Sequence, residues 1–99
     1  MTKELYGVSK LKYENQEEIL EYYILKNQEN ARKYEVETRR NPIEIYGIEI
    51  VKRKGNQEER SYISDLTVNK ELVQEIAQKI MENTVTPIHL YDVLECFIS

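Results

Sequence analysis

Apolar and polar residues alternate along much of the first two thirds of the chain, and this period of two predicts β-strands. Residues 43–54 give the longest such stretch, in which Ile48 and Ile50 share one parity and are expected to face the core. The apolar parity changes around Gly47, and a glycine at such a point predicts a β-bulge. Gly55, followed by an asparagine, then signals a hairpin turn.

Further stretches complete the predicted sheet. Residues 58–66 are predicted to return after the hairpin, and residues 32–38 alternate as a strand with one apolar face. Residues 18–26 carry apolar groups at both parities, which favours a central strand. A helix over residues 16–26 is the alternative, because its glutamates and leucine are good helix formers. Residues 1–16 predict a short edge strand or a loosely ordered segment.

The last third of the chain has the period of two amphipathic helices. Asn69 is a suitable N-cap for the first helix, and Asn83 is expected to close it in a left-handed conformation. The second helix is predicted to begin near Thr86 or His89, with Thr86 as N-cap and Pro87 at the first helical position. The apolar stripes are Leu72, Val73, Ile76, Ala77 and Ile80 in the first helix, and Leu90, Val93, Leu94, Phe97 and Ile98 in the second.

The order of these elements predicts an α+β fold. Neither helix can bury its stripe alone, so both must pack on the sheet or on each other. Hairpin-length connections predict an antiparallel meander of three to four strands, with the two C-terminal helices packed on one face. The 99 residues are expected to form one domain, 1–99.

A motif of Thr86, Pro87, His89 and Asp92 lies at the entry to the second helix. We expect its role to be structural, with Thr86 as the cap and Pro87 fixing the first turn. His89 is expected to hydrogen-bond within the loop or to the sheet. Asp92 lies one turn further on and is expected to orient the imidazole ring or to accept a hydrogen bond from residues 83–85.

The run from residue 83 to residue 94 resembles the C-terminal signature V-x-P-x-H-L-x-D-[VI] of a small bacterial family, seen mostly in Firmicutes. That family is known only as a domain of unknown function. Residues 46–50 and 65–66 match it further upstream, and the resemblance extends from Glu17 to Ile98. It implies a boundary and a motif, and it brings no activity with it.

Charge separates the possible classes of ligand. The chain has 14 Lys and Arg against 18 Asp and Glu, a net charge of −4, which argues against a general nucleic-acid binder. A local basic cluster is nevertheless predicted if residues 32–38 pair with residues 44–50, and it would suit a nucleic acid or another anionic ligand. Its members are Arg32, Lys33, Lys52, Arg53 and Lys54.

His89, Asp92 and Cys96 lie on one side of the predicted second helix. One interpretation is a metal site, or a cysteine nucleophile with His and Asp partners. A structural role is favoured, because the chain has no second His or Cys to complete a zinc site. A nucleophilic thiol also gains from a helix N-terminus, whereas Cys96 lies near a C-terminus. We therefore predict no catalytic residue, metal or cofactor.

The remaining sequence features bear on location and partners. A single cysteine excludes an internal disulfide. The sequence has no apolar run long enough to span a bilayer and no signal-peptide pattern, so a cytoplasmic location is expected. The absence of a catalytic set, together with sheet edges that could pair, favours a non-enzymatic protein that binds another protein or itself. A homodimer is favoured over a monomer.

Overall fold

A computed structural model of the chain describes residues 1–29 and 43–98 and places four strands before two helices. The strands are β1 (Thr2–Tyr13), β2 (Gln16–Glu29), β3 (Ile43–Lys54) and β4 (Gln57–Thr67). They are followed by α1 (Lys70–Glu82), a 3₁₀ turn (Pro87–His89) and α2 (Leu90–Ile98). The predicted order of strands followed by helices is therefore confirmed.

The strands form one sheet in the order β1-β2-β3-β4, and each strand is antiparallel to the next. β2 pairs with the whole length of β3, and the register places Tyr22 opposite Ile50. The turn between β3 and β4 begins at Gly55, whose φ is 57°, as the predicted hairpin requires. The α+β fold with an antiparallel meander is confirmed.

Several predicted strands need correction. Residues 16–26 belong to β2, so the helical alternative is wrong. Residues 2–13 form an edge strand of twelve residues, in place of a short strand or a loosely ordered segment. The strand predicted over residues 32–38 lies outside the described residues. Along residues 44–50, β3 pairs with β2 on one side and, from Tyr46, with β4 on the other.

The core lies between the helices and one face of the sheet. Tyr22, Ile48 and Ile50 are fully buried in the central strands, which confirms the predicted inward direction of the two isoleucines. Burial of a side chain of this size contributes about 1.5–3 kcal/mol, so packing holds the two short helices in place. The helical part of the core consists of Val73, Ile76, Ala77, Ile80, Leu90 and Leu94.

Gly47 lies opposite a bulge in β4. Between the pairs Tyr46–Thr67 and Ile48–Ile63, β3 has one residue and β4 has three, so the register shifts at this point. A Cβ atom on Gly47 would lie 2.7 Å from the backbone oxygen of Ser64. The predicted bulge is thus confirmed, with the extra residues on the partner strand.

The start of α1 is capped as predicted. The side-chain oxygen of Asn69 accepts a hydrogen bond from the N–H of Leu72 at 3.1 Å. The N–H of Asn69 in turn donates to the hydroxyl of Thr67 at 3.0 Å. Among the described helices, none has the length and apolar character needed to cross a membrane.

The end of α1 differs from the prediction by one residue. Asn83 has a φ of −93°, and Thr84 instead takes the left-handed conformation with a φ of 51°. The N–H of Thr84 donates to the oxygen of Met81, and that of Val85 donates to the oxygen of Ile80. These two bonds form a Schellman motif. Because threonine is β-branched, its left-handed conformation is strained.

Candidate functional site

The C-terminal motif forms an exposed turn, and the predicted hydrogen-bonded clamp is not seen among residues 1–29 and 43–98. Thr86 occupies the N-cap position of the 3₁₀ turn, but its side chain makes no capping bond, while Pro87 is buried. His89 and Asp92 are exposed, and their side chains make no hydrogen bond to another described residue. Ile88 between them is 78% exposed. The motif is therefore held by contacts other than those of His89 and Asp92.

Two tyrosine hydroxyls hold this turn against the sheet. Tyr22 donates a hydrogen bond to the backbone oxygen of Val85 at 2.9 Å, and Tyr91 donates to that of Tyr62 at 3.0 Å. Burial raises the pKa of Tyr22 to about 12, so its hydroxyl stays protonated and available as a donor. The bonds join residues 63 and 29 positions apart, and no local sequence pattern indicates them.

The side chains of His89, Asp92 and Cys96 make no hydrogen bond to one another in the structure. Cys96 is exposed, and its Sγ atom lies 3.6 Å from the backbone oxygen of Asp92, one helical turn before it. Across residues 1–29 and 43–98, no group of three His, Cys, Asp or Glu side chains is arranged to hold a metal ion. This surface therefore offers no observation in favour of catalysis.

The predicted basic cluster is only partly described, because Arg32 and Lys33 lie outside the described residues. Each of its other members faces a carboxylate. Lys52 lies 3.7 Å from Glu59, Arg53 lies 3.0 Å from Glu21, and Lys54 lies 3.7 Å from Glu18. These carboxylates weaken the local positive potential. An anion that binds here has to compete with them for the cations.

The face of the sheet opposite the helices carries the most distinctive surface in the described part of the chain. The alternation of side chains puts every second residue there, since Tyr22, Ile48 and Ile50 point to the helices. We call this surface the open face. Its three central rows run across the sheet from β1 to β4: Lys10, Ile19, Arg53 and Glu58; Val8, Glu21, Val51 and Arg60; and Leu5, Tyr23, Glu49 and Tyr62.

Six charged side chains form a continuous chain of ion pairs across the open face. Its members in order are Lys3, Glu49, Arg60, Glu58, Arg53 and Glu21. Glu49 lies 3.0 Å from Lys3 and 3.8 Å from Arg60. Glu58 bridges Arg60 and Arg53, and Arg53 lies 3.0 Å from the last carboxylate. Positive and negative groups alternate, so the six charges sum to zero.

The side chains in this chain of ion pairs contact and cover one another at the centre of the open face. Glu49 is only 6% exposed and is covered by the side chains with which it pairs. Lys3 makes a cation–π contact with Tyr23, and its Nζ atom lies over the ring, 4.4 Å from the ring centre. The hydrogen bond from Arg60, assisted by the charge of Arg53, holds the pKa of Glu58 below its usual range. The six charges in the chain of ion pairs are thus matched to one another.

Apolar side chains stand exposed between these charges. Leu5 is 51% exposed, Val8 43% and Tyr62 52%, although each lies within a strand. Leu5 and Tyr62 lie at the two ends of one row, on opposite edges of the sheet. The surface thus combines paired charges with uncovered apolar groups, which is a composition suited to contact with another protein.

The edges of the sheet are less suited to pairing than the sequence suggested. β1 carries Lys3, Lys10 and Lys12 and has a register irregularity, both of which disfavour the addition of a further strand. β4 contains the bulge opposite β3, and the hydroxyl of Tyr91 already occupies the backbone oxygen of Tyr62. The open face is therefore a better candidate site than either edge.

The match to known protein families covers the entire sequence. The model of the Family of unknown function (DUF6514) matches residues 1–99. The chain belongs to this family. The predicted resemblance to a family of unknown function is thereby confirmed, while a bacterial origin and the C-terminal signature stay predictions. Neither the curated proteins nor the solved structures contain a match to this member of DUF6514.

Proposed function

We propose that this protein acts by binding a protein molecule through its open face, without catalysing a reaction, and that it works in the cytoplasm. One observation carries the proposal: Leu5, Val8 and Tyr62 remain about half exposed beside six charges, from Lys3 to Glu21, that are already paired with one another. These charges already have partners within the chain, whereas the apolar side chains still have exposed area that a partner can bury.

The energetics of the exposed side chains favour a protein partner. Full burial of a large apolar side chain contributes about 1.5–3 kcal/mol, so covering the exposed halves of three of them contributes about 2–4 kcal/mol. The paired charges around them remain hydrogen-bonded when a partner excludes water. An aromatic and aliphatic centre surrounded by polar groups is the usual composition of a protein interface.

Binding of a nucleic acid or another anionic ligand is the second candidate function. It would use Lys52, Arg53 and Lys54, together with Arg32 and Lys33, and each of the three described cations faces a carboxylate. Retention on heparin at low salt tests it. Retention of the wild type that is lost on replacing Arg53 and Lys54 by glutamate would favour an anionic ligand over a protein.

The proposed function is tested by capture from an extract of the native host. The wild-type chain serves as bait beside the double variant Leu5→Glu/Tyr62→Glu, which places charges on two exposed positions of the open face. Val68→Glu is the matched control, since Val68 is 59% exposed but follows β4 outside the open face. We expect a protein, which can be a second copy of the chain, to be retained by the wild type and the control and lost with the double variant.

Circular dichroism and thermal unfolding of each bait exclude loss of fold as the reason for lost binding. The proposal is wrong if no retained protein depends on Leu5 and Tyr62, or if the Val68→Glu control loses the same proteins. A partner that requires the exposed Ile88 instead would move the binding site to the C-terminal motif.

A further inference from the structure

We infer that the partner of the open face is a second copy of the same chain, stacked face to face about a two-fold axis that runs parallel to the strands. This inference rests on the proposed function and specifies its partner. In this arrangement β1 of one copy lies over β4 of the other, and β2 lies over β3. Aligned packing of two sheets in this manner is a common way to bury antiparallel sheet faces.

The size of the open face fits a two-fold dimer. Four strands of this length, spaced by about 4.8 Å and rising about 3.3 Å per residue, give a face of about 700 Å². A stable interface of standard size buries about 800 Å² on each partner. The face, part of which is already buried at Leu25, Ile45 and Val51, is therefore somewhat smaller than one side of a standard interface, and this size suits a dimer that forms reversibly.

The apolar residues match when the strand order is reversed. The row that begins with Leu5 on β1 ends with Tyr62 on β4. The two-fold axis places this row on its own copy in reverse order, so Leu5 faces Tyr62 of the second copy. Symmetry makes the contact twice. Both side chains are about half exposed in the single chain, and each covers the other in the dimer.

The charges at the neighbouring row match in the same arrangement. Lys10 on β1 and Glu58 on β4 stand at the two ends of that row. Lys10 makes no ion pair with the residues that the structure describes, whereas Glu58 already lies between two arginines. Reversal of the row brings Lys10 over Glu58 of the second copy, again twice. Lys10 of each chain thereby meets a carboxylate of the other chain.

A two-fold axis perpendicular to the strands gives a poorer match. It would place β1 on β1 of the second copy, so that the edge carrying Lys3, Lys10 and Lys12 faces its own image. Like charges brought together across an interface are unfavourable. The axis parallel to the strands avoids this contact.

Sedimentation velocity and light scattering at low salt test the dimer. The wild type is measured from about 5 to about 300 µM, the range in which a moderate interface dissociates. We expect the mass to rise with concentration from 11.8 kDa toward twice that value. A wild type that stays at the mass of one chain throughout overturns the inference.

Two charge reversals then test the orientation of the copies. Lys10→Glu alone opposes two glutamates, and Glu58→Lys alone opposes two lysines, so each should weaken self-association by about tenfold or more. A mixture of the two variants forms one dimer in which both contacts pair opposite charges. Recovery of association in the mixture supports the parallel axis, and failure to recover it overturns that axis. Ile88→Glu is the control and should associate as the wild type does.

A covalent test stands beside these reversals should Glu58→Lys prevent folding. Leu5→Cys and Tyr62→Cys are combined with Cys96→Ser, which removes the native thiol. Within one copy the two new cysteines are three strands apart, about 14 Å. Sheets stacked face to face lie about 10 Å apart, beyond the usual reach of a direct disulfide, so a short bis-maleimide that adds to both thiols is used to join facing cysteines. We expect a cross-linked dimer, and a protein that stays monomeric in the presence of the cross-linker contradicts the inference.

The proposed function and the identity of its partner can be refuted separately. A monomeric wild type that captures a different protein through Leu5 and Tyr62 overturns the second copy as partner and leaves the proposed function in place. A chain that neither self-associates nor captures any protein through these residues overturns both.

Discussion

Gly47→Ala perturbs the tightest backbone contact that the three glycines of the chain make. A Cβ atom at this position would lie 2.7 Å from the backbone oxygen of Ser64 and closer still to that of Ile63. Both atoms belong to the bulge of β4, so the added methyl group cannot be accommodated by turning a side chain. The backbone of β4 has to move away from β3, close to the bond that Tyr91 donates to Tyr62.

The magnitude follows from two opposing contributions. Overpacking of this kind costs about 1–3 kcal/mol, and occasionally more. Alanine in an unstrained strand instead gains about 0.5–1 kcal/mol over glycine. The backbone contact outweighs that gain, so we expect Gly47→Ala to lower the free energy of unfolding by about 1–3 kcal/mol. This is a large share of the ~5–15 kcal/mol that holds a typical domain together.

The other two glycines provide matched controls in the same chain. At Gly55 a Cβ atom would meet no other atom within 4 Å, but φ is 57°, so alanine should cost about 1 kcal/mol through backbone strain alone. At Gly7 the nearest obstacle is the sulfur of Met81, at the flexible end of a side chain. Because that end can move, Gly7→Ala should change stability by less than about 1 kcal/mol.

Chemical denaturation of the wild type and the three alanine variants measures these differences. The expected order of loss is Gly47 first, then Gly55, then Gly7. Wild-type stability in Gly47→Ala would refute the reasoning that β4 bulges onto β3 at this residue. A loss in Gly7→Ala equal to that in Gly47→Ala would show that the kind of obstructing atom does not decide the cost.

Three further predictions concern the turn after α1 and are also read from unfolding curves. Thr84→Gly should raise the free energy of unfolding by about 0.5–1 kcal/mol, because glycine relieves the positive φ; a loss would mean that the threonine side chain matters more than the strain. Tyr22→Phe should cost about 1–3 kcal/mol by leaving the oxygen of Val85 unpaired. The folded-state pKa of Tyr22, about 12, lies above the unfolded value near 10, so its contribution is complete below pH 10 and is lost as the pH rises toward 12. That loss should be smaller in Tyr22→Phe, and an equal loss in both proteins would contradict the assignment. His89→Ala and Asp92→Asn should change stability by less than about 0.5 kcal/mol, because both side chains are exposed; a cost of 1–3 kcal/mol would restore the predicted clamp.

Sequence reasoning succeeded where a feature depends on local chemistry. The cap at Asn69, the hairpin at Gly55 and the inward direction of Ile48 follow from side-chain type and spacing, and the structure has all three. Gly47 was identified from a change of parity, and this worked because the bulge in β4 requires a position without a Cβ atom. Information from a few neighbouring residues was enough in each case.

The sequence predicts too short a strand at β1, because a register shift interrupts the alternation of its apolar and polar residues. The shift lies between Leu5 and Gly7, so Leu5 and Val8 belong to the open face, whereas Tyr6 and Leu11 pack against the core. An alternation that changes face in mid-strand resembles scattered apolar residues. The placement of Asn83 failed for a related reason, since the hydrogen bonds after α1 decide which residue takes a positive φ.

The candidate site could not be predicted because its pairs join distant parts of the chain. Lys3 and Glu49 are 46 residues apart, and their contact depends on the register of three strands. The predicted basic cluster counted Arg53 as available, but Glu21 and Glu58 lie beside it in the folded sheet. Only the strand order shows that these charges neutralise one another.

Methyl NMR of the pure protein at increasing concentration tests directly whether the open face is the interaction surface. Leu5 and Val8 report on that face, while Val68 and Ile88 are exposed methyl-bearing residues outside it. From about tens of micromolar to about one millimolar, we predict progressive shifts of the Leu5 and Val8 methyl resonances with the other two unchanged. Shifts at Ile88 without shifts at Leu5 and Val8, or resonances that stay constant at all four residues, would contradict self-association through the open face.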